Sequence, residues 1–383
     1  MDQAHHPHRC LSHWNGSWVY HGAQLPSYQE QAAAAARTNP QSVNIRQSPM
    51  CRRQQSWKWR WESRDRRCPF HHPSPSELCE RLRGRRILLY GDSLTQQFFV
   101  SLASLTGGSG ATQAMAPSGC ERTRHLECLR LCGDNVPKGD KQPAFGTLAL
   151  ICQRTKFGMA LDEVPTPPEN CTIKPSTVAP LHETFPPSCI RAFDLVIVST
   201  VAHWVGNDGA LRLSECLTSR RPVDAASADA SAYVQGLYKR QMQRDAMHLQ
   251  RTVSPARLPG ENALNLRQHT RIFFRTSPTG YPTPDLLPPD TSDGAPPVFT
   301  KPSRDIHWAR TLAARNASRF NHHLFARFNA IARHAYKSAG LDIFDAEVPM
   351  LHRVDGHLDL LHYCLPGPAD FYSEALWNYM VDP

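Results

Sequence analysis

The sequence predicts a three-layer α/β/α fold, in which helices cover both faces of a mostly parallel central sheet. The first observation is a set of short apolar runs, each of a length typical of one buried strand: residues 86–90, 147–152, 193–199, 271–275 and 341–344. The second is that segments with helical spacing separate several of these runs. Buried strands that alternate with helices are typical of parallel sheets covered on both faces.

Three helices are predicted next to these strands. The first begins with a capping box at Ser74, carries Pro75 at its first helical position and ends at Gly84. The second follows Ser93, because phenylalanine and leucine residues recur there at helical spacing. The third covers residues 320–335, where apolar residues recur every three or four positions. These helices supply the outer layers that the buried strands require.

The chain is predicted to have an N-terminal extension, residues 1–72, that contains cysteine and tryptophan and packs on a main domain, residues 73–383. Within the extension, Trp57, Trp59 and Trp61 alternate with charged residues, which predicts that they share one face of a strand. Packing of these rings against the main domain is the preferred interpretation. A platform on which sugars stack is the alternative.

Two windows rich in proline are predicted to be loops of the main domain. Residues 165–187 contain seven prolines and residues 277–302 contain eight. Both windows lie near the ends of predicted strands. Loops at the carboxyl ends of parallel strands border the ligand crevice of such sheets, so these loops are expected to be functional.

Twelve cysteines are spread along the chain without a Cys-x-x-Cys motif. Zinc ribbons and zinc fingers need closely spaced ligand pairs, so no metal site is predicted. Scattered cysteines instead indicate disulfide bonds formed in an oxidising compartment. Three glycosylation sequons, at Asn15, Asn170 and Asn316, favour the same setting. The chain is therefore predicted to be a disulfide-bonded glycoprotein of the secretory pathway or the extracellular space.

The formal net charge of +9 is compatible with anionic partners. The basic residues are scattered and not interleaved with aromatic residues, so no nucleic-acid partner is predicted. No run of 18 apolar residues occurs, and no membrane span is predicted. The first ten residues lack the apolar core of a signal peptide, so a targeting segment is expected to be missing from this chain. The sequence makes no prediction of oligomeric state.

The turn Gly91-Asp92-Ser93 joins the first predicted strand to a helix. This position places the Ser93 hydroxyl at an edge of the sheet and directs backbone N–H groups of the helix toward a developing oxyanion. A serine in such a place is a candidate nucleophile when a base lies within hydrogen-bonding distance. An ordinary turn is the alternative interpretation. The Gly-x-Ser-x-Gly motif of α/β-hydrolases and the Walker A loop are both absent from the sequence.

A candidate base lies near the other end of the chain. Asp359 and His362 are three residues apart, so on one helical turn the carboxylate can fix the tautomer of the imidazole. Asp355 and His357 form a competing pair close by. The sequence alone leaves both pairs open.

Several segments resemble, in the same order, those of the PC-esterase branch of the GDSL/SGNH hydrolase superfamily. This branch includes the plant trichome-birefringence-like polysaccharide O-acetyltransferases. The segments span nearly the whole chain and are GSWV (16–19) after Cys10, WKWRW (57–61) before Cys68, GRRILLYGDS (84–93), AHW (202–204), FFRTSP (273–278) and HYCLPG (362–367). The last of these is the most specific.

This resemblance implies an SGNH-like fold and a Ser93–His362–Asp359 triad in the Golgi lumen. It also implies transfer of an acetyl group, through an acyl-serine, to a hydroxyl of a polysaccharide or other glycan. No bound cofactor is expected, and the acetyl donor, for which acetyl-CoA is one candidate, is a co-substrate. A carbohydrate or lipid esterase that uses the same triad, with water as the acceptor, is the alternative.

Further site residues are expected, of which only Ser199 comes from the comparison with the family. The backbone N–H of Ser93 and the side chain of Ser199 are candidate oxyanion donors; Ser199 begins the segment Ser-Thr-Val where the family usually has Asn-Thr-Gly. Gly91 and Asp92 support the serine turn. Arg275 is a candidate for binding an anionic group, with a structural ion pair as the alternative. Trp204 is a candidate for stacking on sugars, with packing as the alternative.

Overall fold

The computed structural model describes about half of the chain, and the fold is given for these residues. The described residues are 16–20, 59–66, 68–107, 109–112, 115–121, 123, 126–132, 149–154, 180–205, 223–254, 270–280, 322–353, 356–357, 361–365 and 367–381. Their strands are β1 (Gly16–Tyr20), β2 (Trp59–Ser63), β3 (Arg86–Gly91), β4 (Ser109–Thr112), β5 (Glu127–Leu131), β6 (Ala149–Arg154), β7 (Leu195–Ser199), β8 (Arg271–Arg275) and β9 (Asp342–Phe344). Their helices are α1 (Pro75–Leu82), α2 (Ser93–Leu105), α3 (Leu181–Thr184), α4 (Pro187–Arg191), α5 (Ala202–Val205), α6 (Val223–Val253), α7 (Phe325–Ser338), α8 (Glu347–Leu351) and α9 (Asp370–Val381).

The central sheet has seven strands in the order β4-β5-β6-β3-β7-β8-β9. The five strands from β6 to β9 in this order are parallel to one another, whereas β4 and β5 form an antiparallel edge. The prediction of a mostly parallel α/β sheet is therefore confirmed. The strand that leads to Ser93, β3, lies in the middle of the sheet, where neighbours on both sides fix its position.

Helices cover both faces of this sheet. The two successive phenylalanines of β8 point in opposite directions: the ring of Phe273 contacts Tyr379 of α9, and the ring of Phe274 contacts Tyr336 of α7. Both phenylalanines are almost completely buried. A strand buried on both faces requires an apolar side chain at every position, which explains the continuous apolar runs in the sequence.

The predicted elements mostly lie where the sequence places them. Helix α1 has the capping box at Ser74, whose hydroxyl accepts a hydrogen bond from the N–H of Glu77 while the Glu77 carboxylate accepts one from the N–H of Ser74. Gly84, with a φ of +70°, follows this helix in the left-handed conformation that favours glycine. Strand β6 is described from Ala149, and a short 3₁₀ turn, His322–Leu324, precedes α7 within the helix predicted over residues 320–335. Residues 147–148 and 320–321 of these predictions lie outside the described residues.

The described part of the predicted N-terminal extension includes a two-stranded antiparallel sheet, β1 with β2. Trp18 and Trp61 face each other across it, and both rings contact Phe371 of α9. Trp61 is fully buried, which agrees with packing for this ring, while Trp57 lies outside the described residues. The indole N–H of Trp18 also donates to the carbonyl oxygen of Pro349, so this small sheet is attached to the carboxyl-terminal part of the chain.

Three disulfide bonds join elements at the β5 edge of the central sheet: Cys79–Cys132, Cys120–Cys189 and Cys128–Cys152. Cys68 and Cys364 are also disulfide-bonded. These bonds are compatible with the oxidising environment of the secretory pathway or the extracellular space. The three sequon asparagines lie outside the described residues. Among the helices described, none combines the length and the apolar character that a membrane crossing needs.

Candidate active site

The turn that carries Ser93 is held in place by the carboxylate of Asp92. This side chain is fully buried and caps α2, since its Oδ1 accepts a hydrogen bond of 3.0 Å from the N–H of Leu94. Its Oδ2 accepts a hydrogen bond of 3.3 Å from the N–H of Ala202, which follows β7. One carboxylate therefore joins the serine turn to the loop after the neighbouring strand. Ser93 itself is the first residue of α2 and is half-buried.

Gly91 is required at the end of β3 because there is no room for a side chain. A Cβ atom at this position would lie 2.0 Å from the carbonyl oxygen of Ser199 and 2.3 Å from the hydroxyl oxygen of Thr95. Ser199, the predicted oxyanion donor, is fully buried and its hydroxyl pairs with the hydroxyl of Ser277 at 3.1 Å. The close approach of β3 and β7 thus explains why the Gly-Asp-Ser sequence begins with a glycine.

The imidazole of His362 lies beside the candidate nucleophile. Its Nε2 is 2.5 Å from the Oγ of Ser93, although 269 residues separate the two in the chain. Asp359, the predicted third member of the triad, lies outside the described residues, as does Asp355 of the competing pair. The competing histidine, His357, is buried and its ring packs on that of Tyr363 at 4.2 Å between centroids. The structure therefore brings His362 to Ser93, while His357 packs beside Tyr363.

Gln97 holds the His362 segment against α2, and sequence reasoning did not identify it. Its side-chain amide donates a hydrogen bond of 2.7 Å to the carbonyl oxygen of Tyr363 and accepts one of 3.1 Å from the N–H of the same residue. Gln97 is 1% exposed and follows Ser93 by one helical turn, so both residues face the same segment. The signal in the sequence was a polar residue four positions after Ser93, on the same face of the predicted helix. This contact fixes the backbone immediately after His362.

The same face of α2 continues with Ser101, one further turn along. The Ser101 hydroxyl donates to a carboxylate oxygen of Asp370 at 2.6 Å and lies 2.9 Å from the hydroxyl of Ser373. All three side chains are buried. Ser93, Gln97 and Ser101 therefore form a polar stripe on α2, and every member of the stripe contacts the carboxyl-terminal part of the chain.

Arg275 lies beneath the serine turn and is fully buried. Its Nη2 donates a hydrogen bond of 3.2 Å to the hydroxyl of Thr95, and its guanidinium carbon lies 4.4 Å from the centre of the Tyr372 ring. Burial raises the pKa of Tyr372 to about 12, so this phenol stays neutral at physiological pH. Within the described part of the chain, Arg275 forms no ion pair with a carboxylate. The predicted contact of Arg275 with an anionic substrate stays a prediction.

Trp204 is also fully buried, and its ring packs edge-on against Tyr238 of α6 at 5.1 Å between centroids. In this structure neither Trp204 nor Arg275 offers surface to solvent. Contact between Trp204 and a sugar therefore stays a prediction.

The short loop after β8 is fixed by a side chain of α7 and by the backbone of β9, whose Phe344 carbonyl oxygen accepts a hydrogen bond from the N–H of Thr276. Asn329 of α7 is fully buried and exchanges two hydrogen bonds with the backbone of Ser277, of 2.9 Å and 2.8 Å. Ser277 in turn contacts Ser199, as described above. This arrangement holds residues 276–280 at the carboxyl edge of the sheet. The remainder of the predicted loop 277–302, from residue 281, and residues 165–179 of the other proline-rich window lie outside the described residues.

The chemistry available at this site is that of a serine and an imidazole in contact. Among the residues that the structure describes, no group of three or more histidine, cysteine, aspartate or glutamate side chains is arranged to hold a metal ion. A hydroxyl hydrogen-bonded to an imidazole nitrogen at the start of a helix is the arrangement that activates a serine for attack on a carbonyl carbon.

Comparisons of the whole chain with protein-family models and with curated proteins find no match to either.

Proposed function

We propose that this protein is a serine-dependent O-acyltransferase, which moves an acetyl group through an acyl-serine to a hydroxyl of a polysaccharide or other glycan. The observation that carries the proposal is the contact of 2.5 Å between Ser93 Oγ and His362 Nε2. Two residues so far apart in sequence meet only because the fold brings them together, and Gln97 maintains the backbone beside the histidine. Asp359 is proposed as the acceptor of the hydrogen bond from Nδ1 of His362.

The proposed reaction has two acyl-transfer steps. In the first, Ser93 Oγ attacks the carbonyl carbon of the donor, and its proton passes to Nε2 of His362. The bond between the carbonyl carbon and the leaving group then breaks, and His362 returns the proton to the leaving group. In the second step, the acceptor hydroxyl gives its proton to His362 and attacks the acyl-serine. Ser93 Oγ then leaves the acyl group and takes the proton back from His362.

The negative charge that develops on the carbonyl oxygen is proposed to be stabilised by the start of α2. Within the described part of the chain, the N–H of Ser93 makes no hydrogen bond, so it is available as a donor. The positive end of the dipole of a 13-residue helix adds to this stabilisation. The hydroxyl of Ser199 is hydrogen-bonded to the hydroxyl of Ser277. Ser199 can therefore act as a second donor to the oxyanion only by exchanging this hydrogen bond for one to the substrate.

The family, compartment and acceptor are proposed from the sequence segments that resemble the PC-esterase branch. The described disulfide bonds support a secretory setting, of which the Golgi lumen is the member that this resemblance implies. A hydrolase that releases acetate is the second candidate. One observation favours it: Ser93 and His362 are both half-buried, and therefore reachable by water.

One assay separates these activities and tests the nucleophile. The purified full chain is given acetyl-CoA or an acetyl ester, with and without xylan, mannan or pectin, and products are followed by mass. Acetylated glycan supports the transferase, and acetate release without glycan acetylation supports the esterase. Replacement of Ser93 by alanine is expected to lower turnover by roughly a thousandfold or more, because the covalent intermediate is lost.

The matched control for this variant is Ser76→Ala, which removes an exposed hydroxyl of α1. It is expected to leave turnover unchanged. If Ser93→Ala retains the turnover of the unaltered chain while both variants fold, Ser93 is not the nucleophile and the proposed chemistry is wrong.

A further inference from the structure

A groove of about 590 Å³ lies between the carboxyl-terminal half of α6 and the short helices α3 and α4. Its lining includes three arginines, Arg191, Arg244 and Arg251, together with His182 and Met247. None of the lining residues belongs to the serine turn or to the His362 segment. The groove is large enough for a ligand of several hundred cubic ångströms and is separate from the candidate active site.

The described carboxylates near this groove do not neutralise Arg191 or Arg251. Asp245, the buried acid of this region, bonds to His182 at 2.5 Å, and Glu183 lies 3.7 Å from the other ring nitrogen of the same histidine. Both carboxylates are therefore directed at His182. Arg191 and Arg251 form no ion pair with any residue of the described stretches. A groove with unpaired guanidinium groups favours an anionic ligand.

The spacing of the arginines indicates the shape of that ligand. Arg244 and Arg251 are seven residues apart on one face of α6, which corresponds to about 10 Å along the helix axis. Arg191 lies on the other wall of the groove, on α4. Positive charges distributed in this way suit a chain that carries repeated negative charges, because a single small anion cannot contact all of them. The exposed side chain of Met247 offers apolar surface between the charges on α6.

We propose that this groove binds an anionic glycan, a chain of sugars that bears carboxylate or sulfate groups. The guanidinium groups pair with the acidic groups, and the apolar surface of the groove contacts the faces of the sugar rings. The site is a binding site apart from the catalytic turn. It does not depend on the proposed acyl transfer, since no residue of the groove takes part in that chemistry.

Direct binding of labelled oligosaccharides to the full chain tests the proposal. The probes are an oligogalacturonide, a sulfated oligosaccharide and a neutral xylo-oligosaccharide of equal length. The double variant Arg191→Gln/Arg251→Gln is expected to bind at least one acidic probe about tenfold more weakly than the unaltered chain, because two charge-assisted hydrogen bonds are lost. The first two probes distinguish a carboxylate ligand from a sulfate ligand.

The matched control is Arg66→Gln/Arg83→Gln, which removes the same net charge from exposed positions outside the groove. It is expected to change binding by less than about twofold, because a change of net charge acts weakly at a distance in physiological salt. Equal weakening by both double variants overturns the proposal, and so does equal binding of the neutral probe. Tighter binding of a single-stranded RNA of equal charge also overturns it. Ser93→Ala is expected to bind as the unaltered chain does, so failure of the catalytic proposal leaves this result unaffected.

Discussion

Different kinds of bond hold the two regions on either side of β3, the strand that leads to Ser93. Toward β5, three disulfide bonds connect α1, α4, β5 and β6 with the loops beside them. Toward the carboxyl ends of β7, β8 and β9, the described contacts are hydrogen bonds of buried polar side chains. Gln97, Ser101, Asn329 and Asp92 each join two segments that are distant in sequence. Three disulfide bonds thus cross-link one edge of the sheet, whereas buried hydrogen bonds, together with the disulfide bond of Cys364, hold the candidate site.

The difference shows how one fold can combine high stability with a precisely oriented candidate active site. A disulfide bond stabilises mainly by limiting the unfolded chain and does little to orient a distant side chain. A buried amide that bonds both the N–H and the C=O of one residue fixes a backbone position, because misplacement leaves polar groups without partners. We therefore expect the two regions to respond differently to mutation. Changes at the disulfide-linked edge should lower stability alone, whereas changes around the candidate site should lower both stability and activity.

The largest effect on stability is expected from the disulfide edge. Replacing Cys120 and Cys189 by alanine opens a loop of 69 residues, which is expected to lower the free energy of unfolding by about 4 kcal/mol. Turnover per folded molecule should not change, because Ser93 and His362 are held elsewhere. Urea unfolding and the acetyl-transfer assay measure the two quantities. The control is Thr123→Val, which keeps the disulfide but removes the hydroxyl beside Cys189. Loss of turnover in the folded disulfide variant would contradict the comparison.

A smaller loss of stability, but a large loss of activity, is expected from Gln97→Met. This change keeps the volume of the side chain and removes both hydrogen bonds to Tyr363, at a cost of about 2 to 3 kcal/mol in unfolding free energy. Turnover should fall by roughly tenfold or more, while the Michaelis constant changes little, because His362 is misplaced and substrate contacts are retained.

The control for this prediction is Ser101→Ala, on the same stripe of α2. It removes the hydrogen bonds to Asp370 and Ser373 but leaves the backbone beside His362 in place. Its stability should fall by about 1 to 2 kcal/mol with turnover nearly unchanged. If both variants lose turnover in proportion to stability, Gln97 acts through the general stability of α2 and does not position the histidine.

The smallest effect is expected from His182 of α3. This residue lies on the side of the sheet that the disulfide bonds join, and its charge changes with pH. The hydrogen bond to Asp245 raises the pKa of His182 above its ordinary value of 6.5, and the negative charge of Asp245 adds to this shift. Because the folded-state pKa is raised, the stabilisation is complete at pH values below 6.5 and is lost as the pH rises through the folded-state pKa.

The variant His182→Gln provides the measurement. The difference in unfolding free energy between the unaltered chain and this variant should shrink as the pH rises from about 6 to about 9. His334→Gln, on α7, serves as a control. A difference that is constant across this range would show that the charge of His182 contributes nothing.

The sequence predicted the elements that are determined by residues adjacent to one another in the chain. The capping box at Ser74 and the continuous apolar runs of β3, β7 and β8 are visible in neighbouring residues, and the structure has these elements. The candidate nucleophile was identified for the same reason, since a strand, a turn and a helix start are adjacent in the chain. The pair of Ser93 with His362 was predicted from the spacing of Asp359 and His362 together with a family resemblance.

The elements that were missed depend on distant parts of the chain. Helix α6, with 31 residues, begins in a run of small and polar residues without a clear apolar stripe. Its central residues are buried because Tyr238 packs on Trp204 and Phe328, which no local pattern reveals. Strand β5 lies toward the sheet edge and is joined to β6 by Cys128–Cys152, a tertiary constraint. The role of Gln97 likewise depends on Tyr363, which is 266 residues away.

The separation of Ser93 from His362 has a consequence for how the protein is made. At a synthesis rate of roughly 5–20 residues per second, roughly 15 to 50 seconds pass between the two residues, which are 269 positions apart. During that interval, helix α2 has no partner for its polar stripe or for the apolar residues, such as Phe98, that pack on α9. The nascent chain therefore carries an unpaired, partly apolar surface until its last described helix has been synthesised, and a chaperone that binds this surface would act within that interval.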